Sequence, residues 1–221
     1  MKNYLLLILM LLVQIPVVGQ DVKDTIYVNK VNFKDVKFTQ NTTIIERNVF
    51  AFSPSKANKI NGLNLNYWYD ESSATMTNGI ELGLNPLGVF FPFLTVIHSI
   101  PPFIHDPNTY KQSYVDDMVF DKVNGIRVGI SFLEPAIING IELNLTGGFD
   151  TKVNGLSMSP IIHKHMMVNG VGIALLGNFD TQVNGIQIGL FNKCSNLRGL
   201  QFGLWNKNSK RSLPFVNWNF K

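Results

Sequence analysis

Few side chains in this sequence have the type and spacing that metal binding requires. His163 and His165 lie two residues apart, which places both on one side of an extended strand, where they would begin a metal site. No paired Cys, His or carboxylate stands at a ligand-like spacing beside them, so we expect two surface histidines and rank them as weak metal candidates. His98 and His105 flank the later part of an apolar stretch and have the same rank.

Residues suited to acid–base or nucleophilic catalysis are also sparse. Asp150 and Asp180 recur in GGFDTKV and GNFDTQV, and paired carboxylates can do acid–base work, but recurrence at equivalent repeat positions favours a turn-capping role. The single cysteine, Cys194, has no partner for an internal disulfide and is interpreted as a small residue in a turn. Phosphate-loop, nucleophile-elbow and His-Glu-x-x-His motifs are missing. The sequence therefore predicts no enzyme activity and no cofactor.

Charge and composition exclude a further class of function. The formal net charge of +4 is scattered along the chain, and charged residues make up 15% of it against 45% hydrophobic residues. Nucleic-acid binding requires a basic patch or stripe. We therefore expect no nucleic-acid partner.

A repeated Asn-Gly pair that follows an aliphatic residue organises most of the chain. Early copies begin at Asn61 and Asn78, and later copies recur at a fixed spacing of 15 residues. A fixed period of this kind indicates a repeat architecture. The equally spaced copies begin at Asn124, Asn139, Asn154, Asn169 and Asn184.

Within each unit, aliphatic residues alternate with small or variable ones, as in Ile126, Val128 and Ile130 against Arg127 and Gly129. This period predicts strands, and the array predicts an all-β, β-solenoid-like stack of 15-residue coils with N- and C-terminal caps. In this interpretation the aliphatic residues fill the interior and the variable residue faces water. The repeated asparagines form a structural ladder of amides that hydrogen-bond from coil to coil. The alternative is an up-and-down β-barrel of the outer-membrane type, whose strands have a similar length.

The rest of the chain divides into a leader, a cap region and the repeat domain. Residues 1–20 are typical of a signal peptide, with Lys2 ahead of an apolar run. Residues 21–59 lack the repeat and form the predicted N-terminal cap region. Residues 60–221 form the repeat domain, and their stretch 212–218 would close the last coil.

An apolar, proline-containing excursion interrupts the repeat domain at about residues 85–117. Its part 87–104 contains no formally charged residue. It is interpreted as a loop packed over the repeats, as two degenerate coils, or as an exposed surface that binds a partner or contacts a membrane. The partner surface predicted on it consists of Phe90, Phe91, Phe93, Ile97 and Phe103.

The units VNGIQIGLFN and LRGLQFGLWNKNSKRSLPFVNW resemble the Gly-Ile-Gln-Ile-Gly-Leu-x-Asn repeats of a surface-repeat protein family of Gram-negative bacteria, including Bacteroidetes-type organisms and spirochaetes. The resemblance covers about residues 60–85 and 123–220. It implies an exported protein of the periplasm, outer membrane or cell surface, and it supplies no catalytic residues. We therefore expect a structural or partner-binding role, with an unknown protein or envelope component as partner. The alternative function is an integral outer-membrane β-barrel, structural or a narrow pore.

Overall fold

The computed structural model describes residues 44–53, 55–67, 75–84, 121–132, 136–148 and 152–220. All of them belong to one compact unit, Asn32–Lys221, and the other unit, Met1–Val31, lies outside the described residues. The described part of the chain contains strands and no helix. The strands are β1 (Glu46–Ser53), β2 (Lys59–Asn66), β3 (Met76–Gly83), β4 (Asp121–Phe132), β5 (Ala136–Gly148), β6 (Lys152–Ser159), β7 (Ile162–His163), β8 (Met167–Ala174), β9 (Gly177–Ile188), β10 (Phe191–Lys207) and β11 (Ser212–Asn219).

The strands stack into a β-solenoid of about seven turns. From β1 to β10, each strand pairs in parallel with the next in the order β1-β2-β3-β4-β5-β6-β8-β9-β10. The short β7 pairs with β5 and β9 on a second side of the coils. An up-and-down barrel would pair neighbouring strands antiparallel. The solenoid prediction is therefore confirmed, and the barrel alternative is wrong.

The repeat sets the register of the whole stack. Asn78 pairs with Asn124 and Asn124 with Asn139, so equivalent residues lie above one another. β3 pairs directly with β4 although 46 residues separate those two asparagines. The stack therefore passes from β3 to β4 across the excursion, and residues 85–120, which include it, lie outside the described part.

Both ends of the described stack depart from the repeat. β1, which falls within the predicted cap region 21–59, pairs in register with β2 as one further coil, with Asn48 opposite Asn61. Residues 21–43 lie outside the described part. At the other end β11 turns back and pairs antiparallel with β10. The stretch 212–218, predicted to close the last coil, lies in this strand.

The two sides of the strands are reversed relative to the sequence prediction. Arg127 is fully buried, whereas its neighbour Ile126 is 36% exposed. Residues at i, i+2 and i+4 of a strand share one side, so Arg127 lies on the same side as Gly125 and the fully buried Val123. The expectation that the aliphatic residues after Asn-Gly fill the interior, and that the variable residue faces water, is therefore wrong.

The hydrophobic core is instead built from the residue that precedes each Asn-Gly pair. These side chains stack in register and form clusters along the coils. Fully burying one aliphatic side chain contributes about 1.5–3 kcal/mol before the entropy of ordering is counted. The row consists of Ile60, Val123, Ile138, Val153, Val168, Val183 and Leu197, with Thr77 at the same position in β3.

The glycine of each Asn-Gly pair permits the close approach of successive coils. The eight glycines at this position, from Gly62 to Gly199, have φ values from 130° to 148°, a region that other residues rarely adopt. A Cβ atom built on Gly155 would overlap the carbonyl oxygen of Gly140 in the preceding coil. The strand spacing of about 4.8 Å therefore requires glycine here.

Candidate functional site

The outer side of the coils is an apolar face made of two rows. Both rows consist of half-exposed residues, which in most coils follow the Asn-Gly pair, and no ionisable side chain interrupts either row in the described residues. We call these two rows the apolar face. The first row is Phe50, Leu63, Ile80, Ile126, Ile141, Leu156, Val171, Ile186, Leu200 and Trp218, and the second row is Phe52, Leu65, Leu82, Val128, Leu143, Met158, Ile173, Ile188, Phe202 and Val216.

A groove runs along the C-terminal half of this face. It has a volume of about 640 Å³, and the second row from Leu143 to Phe202 lines one side of it. Leu175 and Leu190 line the other side, and Leu175 is 64% exposed. Small residues such as Gly189 lie between the two sides. The groove is therefore an open, apolar channel that crosses several coils.

The inner side of the coils carries a row of buried polar residues at the variable repeat position. Arg127 Nε donates to Glu81 Oε1 over 2.9 Å, and both side chains are almost completely buried. Glu81 also accepts hydrogen bonds from Asn64 and Thr77. Taking two charges out of water costs free energy, which a buried ion pair offsets only when its remaining hydrogen bonds are satisfied. These contacts therefore offset the cost of burying Glu81 and Arg127. The full interior polar row is Asn64, Glu81, Arg127, Glu142, Ser157, Gln187, Gln201 and Asn217.

Amide side chains continue this row to the C-terminal end. Gln201 Nε2 donates to Gln187 Oε1 over 2.7 Å, and Asn217 Nδ2 of β11 donates to Gln201 Oε1 over 2.9 Å. Arg211 Nε in turn donates to Asn217 Oδ1 over 3.0 Å, and its guanidinium lies 4.3 Å from the centre of the Trp218 ring. The last interior amide, Asn217, is therefore satisfied by Arg211 in the turn before β11.

His163 and Asn178 lie at the place in the interior polar row where Gly172 has no side chain, and His165 lies next to His163. A Cβ on Gly172 would lie 3.7 Å from His163 Nδ1. Both histidines are fully buried, with ring centres 4.9 Å apart, so the expectation of two surface histidines is wrong. A glycine at the variable position leaves space in the interior row, so Gly172 was the signal in the sequence that another side chain fills this space.

His165 lies between two buried carboxylates. Its Nε2 is 3.2 Å from Glu142 Oε2 and its Nδ1 is 3.1 Å from Asp180 Oδ1. Burial acts to lower the pKa of His165, but the charge and hydrogen bonds of these two carboxylates raise it well above the ordinary value of 6.5. Burial raises the pKa of Asp180 in turn, yet the hydrogen bond and charge of His165 leave it below its ordinary value. The three groups form a buried acid–base–acid triad of alternating charge.

Asp180 and Cys194 were predicted in turns, and both lie in strands. Asp180 is buried in β9 and accepts from the backbone N–H of His165 over 2.8 Å and from Gln187 Nε2 over 2.8 Å. Cys194 is buried in β10, and burial together with the Asp180 charge raises the pKa of its thiol well above the ordinary value. Asp150, the predicted counterpart of Asp180, lies outside the described residues.

His163 is held neutral beside a hydroxyl group. Burial and the nearby charge of His165 lower the pKa of His163 to about 4. Its Nε2 is 3.2 Å from Ser157 Oγ and its Nδ1 is 3.1 Å from Asn178 Oδ1, an order of groups that resembles a nucleophile, its base and an orienting amide. All three side chains are fully buried, and Ser157 Oγ donates its one hydrogen to Glu142 rather than to His163. A substrate has no access to this hydroxyl, so the arrangement packs the interior.

The metal hypothesis for His163 and His165 gains no support from this geometry. Both ring nitrogens of His165 lie against carboxylate oxygens, and a protonated imidazole has no lone pair for a metal. Within the described ranges, no group of three or more His, Cys, Asp or Glu side chains is arranged to hold a metal ion. His98 and His105 lie outside the described residues.

The asparagines at the repeat corner form a row of side-chain amides. Asn154 Nδ2 donates to Asn139 Oδ1 over 2.7 Å, and Asn169 Nδ2 donates to Asn154 Oδ1 over 2.7 Å. The same bond links Asn124, Asn139 and Asn184 to the coil before each of them, and the row begins earlier than the sequence suggested, at Asn48. The row is half-buried and hydrogen-bonded along the stack, which is a structural role.

The predicted partner surface on the excursion, Phe90, Phe91, Phe93, Ile97 and Phe103, lies outside the described residues. Sequence reasoning missed the apolar face because it placed the aliphatic residues after each Asn-Gly pair in the interior.

Comparison of the chain with protein-family models, with curated proteins and with solved structures finds no match. No helix among the described residues is both long and apolar enough to span a membrane.

Proposed function

We propose that this chain is an exported, envelope-associated repeat protein that binds a partner through its apolar face and catalyses no reaction. The observation that carries the proposal is the apolar face itself. It crosses the stack from β1 to β11 without an ionisable side chain in either row. Its side chains stay half-exposed although the chain has a separate hydrophobic core.

The size of the face supports a binding role. The path has ten strands about 4.8 Å apart, and the two rows stand about 6.6 Å apart. With a side-chain width of about 4 Å at each margin, the face measures about 45 Å by 15 Å, or roughly 650 Å². The largest apolar patch on an ordinary monomer is about 300–600 Å² and is itself often functional. A rigid, flat scaffold also costs little entropy on binding, because the strands are already ordered.

The proposed absence of catalysis is supported by the burial of the chemically capable groups. Ser157, His163 and the triad of Glu142, His165 and Asp180 lie inside the coils, where they satisfy one another. The solvent-facing side of the same coils offers Ile, Leu, Val, Met and Phe side chains, which bind but do not catalyse.

Export and envelope association are supported by the leader-like residues 1–20 and by the repeat resemblance. The apolar face fits an environment in which a partner covers it. A fractionation experiment tests this part of the proposal: the full-length chain is expressed in a Gram-negative host, and the protein recovered from each fraction is sequenced from its N-terminus. We expect an envelope or periplasmic protein that begins near Asp21. A cytoplasmic protein that retains Met1 would contradict it.

Site-specific photo-cross-linking tests the binding role. A photoreactive residue is introduced at Ile188 on the apolar face and, as a matched control, at Ser209, which is exposed in the turn before β11. We expect a discrete cross-linked product from position 188 and none from position 209. Equal cross-linking from both positions, or from neither, would contradict partner binding through this face.

A further inference from the structure

We propose that the partner on the apolar face is a second copy of this chain, so that two solenoids pack face to face about a two-fold axis. The inference rests on the proposed function, because it takes the apolar face as a binding surface. It adds the identity of the partner and the symmetry of the complex.

The area of the face matches what a stable homodimer needs. The estimate of roughly 650 Å² per copy from strand and residue spacing corresponds to about 1,300 Å² buried by two copies, which lies within the roughly 1,200–2,000 Å² of stable interfaces. Homodimer interfaces are also more apolar than other contacts and are poor in charge. The two rows fit both criteria, since they consist almost entirely of aliphatic and aromatic side chains.

The face also offers a groove and exposed side chains next to each other. Leu175, which is 64% exposed, borders the groove of about 640 Å³. A two-fold axis brings the same patch of both copies together, so an exposed side chain of one copy can enter the groove of the other. Two sheets packed in this way would stand about 10 Å apart, with their side chains interdigitating.

Charge also favours a second copy. Two identical surfaces repel when they carry charge of one sign, and the chain has a net charge of +4. Neither row of the apolar face contributes to that charge, and two copies meet through the neutral part of their surfaces, apart from Arg211 over Trp218 at the C-terminal end. An added strand from a peptide does not suit the same site, because the strands β2 to β10 are already paired on both edges.

The test measures the mass of the protein in solution. The full-length chain is expressed, and the purified product is examined by size-exclusion chromatography with light scattering over a wide range of concentration. We expect twice the mass of one chain. Ile188→Lys should convert the dimer to a monomer with unchanged far-UV circular dichroism and thermal midpoint, and Met158→Lys should do the same at a second position. Ser209→Lys adds the same charge away from the face and should remain a dimer.

A wild-type protein that is monomeric at every concentration would overturn the dimer, and so would a dimer that survives both lysine substitutions. A monomer that floats with vesicles of phosphatidylethanolamine and phosphatidylglycerol would overturn it in favour of a lipid surface. These failures differ from failure of the proposed function. A dimer recovered from the cytoplasm would support the pairing of two copies and contradict the envelope role. A monomer that cross-links through position 188 to another envelope component would support the envelope role and contradict the dimer.

Discussion

Gly170 and Gly172 of β8 provide a matched pair of substitutions that tests how closely the coils stack. Gly170 has a φ of 139°, and a Cβ there would overlap the carbonyl oxygen of Gly155 in the preceding coil. Gly172 has no positive φ, and the nearest atom to its Cβ would be Asn178 Oδ1 at 3.3 Å. Both residues lie in the same strand, so Gly→Ala makes the same chemical change two residues apart.

The expected effects differ by several kcal/mol. A sparsely populated backbone conformation costs about 1–3 kcal/mol, and the overlap with a backbone oxygen adds to this because the paired strands cannot separate. We therefore expect Gly170→Ala to lower the free energy of unfolding by about 3 kcal/mol or more. At Gly172 a small shift of Asn178 is offset by the gain of about 0.5–1 kcal/mol that alanine has over glycine in a strand. Gly172→Ala should stay within about 1 kcal/mol of wild type.

Equilibrium urea unfolding followed by far-UV circular dichroism measures the difference. The midpoint of Gly170→Ala should fall well below that of Gly172→Ala at an unchanged slope. Equal midpoints, or a larger loss for Gly172→Ala, would refute the stacking geometry.

Three further predictions concern the side-chain networks. Asn154→Ala removes a member of the corner row of asparagines and leaves amide groups of its two neighbours unpaired. This should lower the free energy of unfolding by about 1 kcal/mol or more. An unchanged urea midpoint would show that this row contributes nothing to stability. Burial lowers the pKa of His163 from 6.5 to about 4, so the unfolded chain takes up a proton at higher pH than the folded chain does. Stability should therefore fall by roughly 3 kcal/mol as the pH falls from about 6.5 to 4, and His163→Gln should flatten that part of a urea-midpoint profile; an identical profile for the variant would contradict the shift. The pKa of His165 is raised, so its stabilising contribution is complete below pH 6.5 and is lost as the pH rises through the pKa of the folded protein. His165→Gln should therefore remove this loss of stability at alkaline pH. A variant that loses stability at alkaline pH as wild type does would argue against the triad.

The sequence was sufficient for the repeat, for the all-β class and for the register of the equally spaced copies. These follow from a period that any aligned copy reveals, such as Asn139 fifteen residues after Asn124. It was not sufficient to predict which side of each strand faces the interior. One side of each strand is uniformly aliphatic after the glycine, and a rule based on hydrophobicity alone places that side inside.

Two signals in the sequence pointed the other way. The aliphatic residue before each Asn-Gly, such as Val123, shares its side of the strand with the variable residue Arg127. The variable position also carries Glu81, Arg127 and Glu142 in successive coils, an alternation of charge that suits neighbours in a stack. The pairing of Glu81 with Arg127 depends on the register across the excursion, which only the structure supplies.

The central claim, that the variable residues face inward and the aliphatic residues face outward, is tested most directly by thiol labelling of adjacent positions. Ser157 is fully buried and Met158 is 38% exposed, although they are neighbours in β6. In a Cys194→Ala background, Met158→Cys should react with a maleimide in the native protein. Ser157→Cys should react only after the protein is unfolded in urea. Rapid native labelling at position 157 with protection at position 158 would contradict the account.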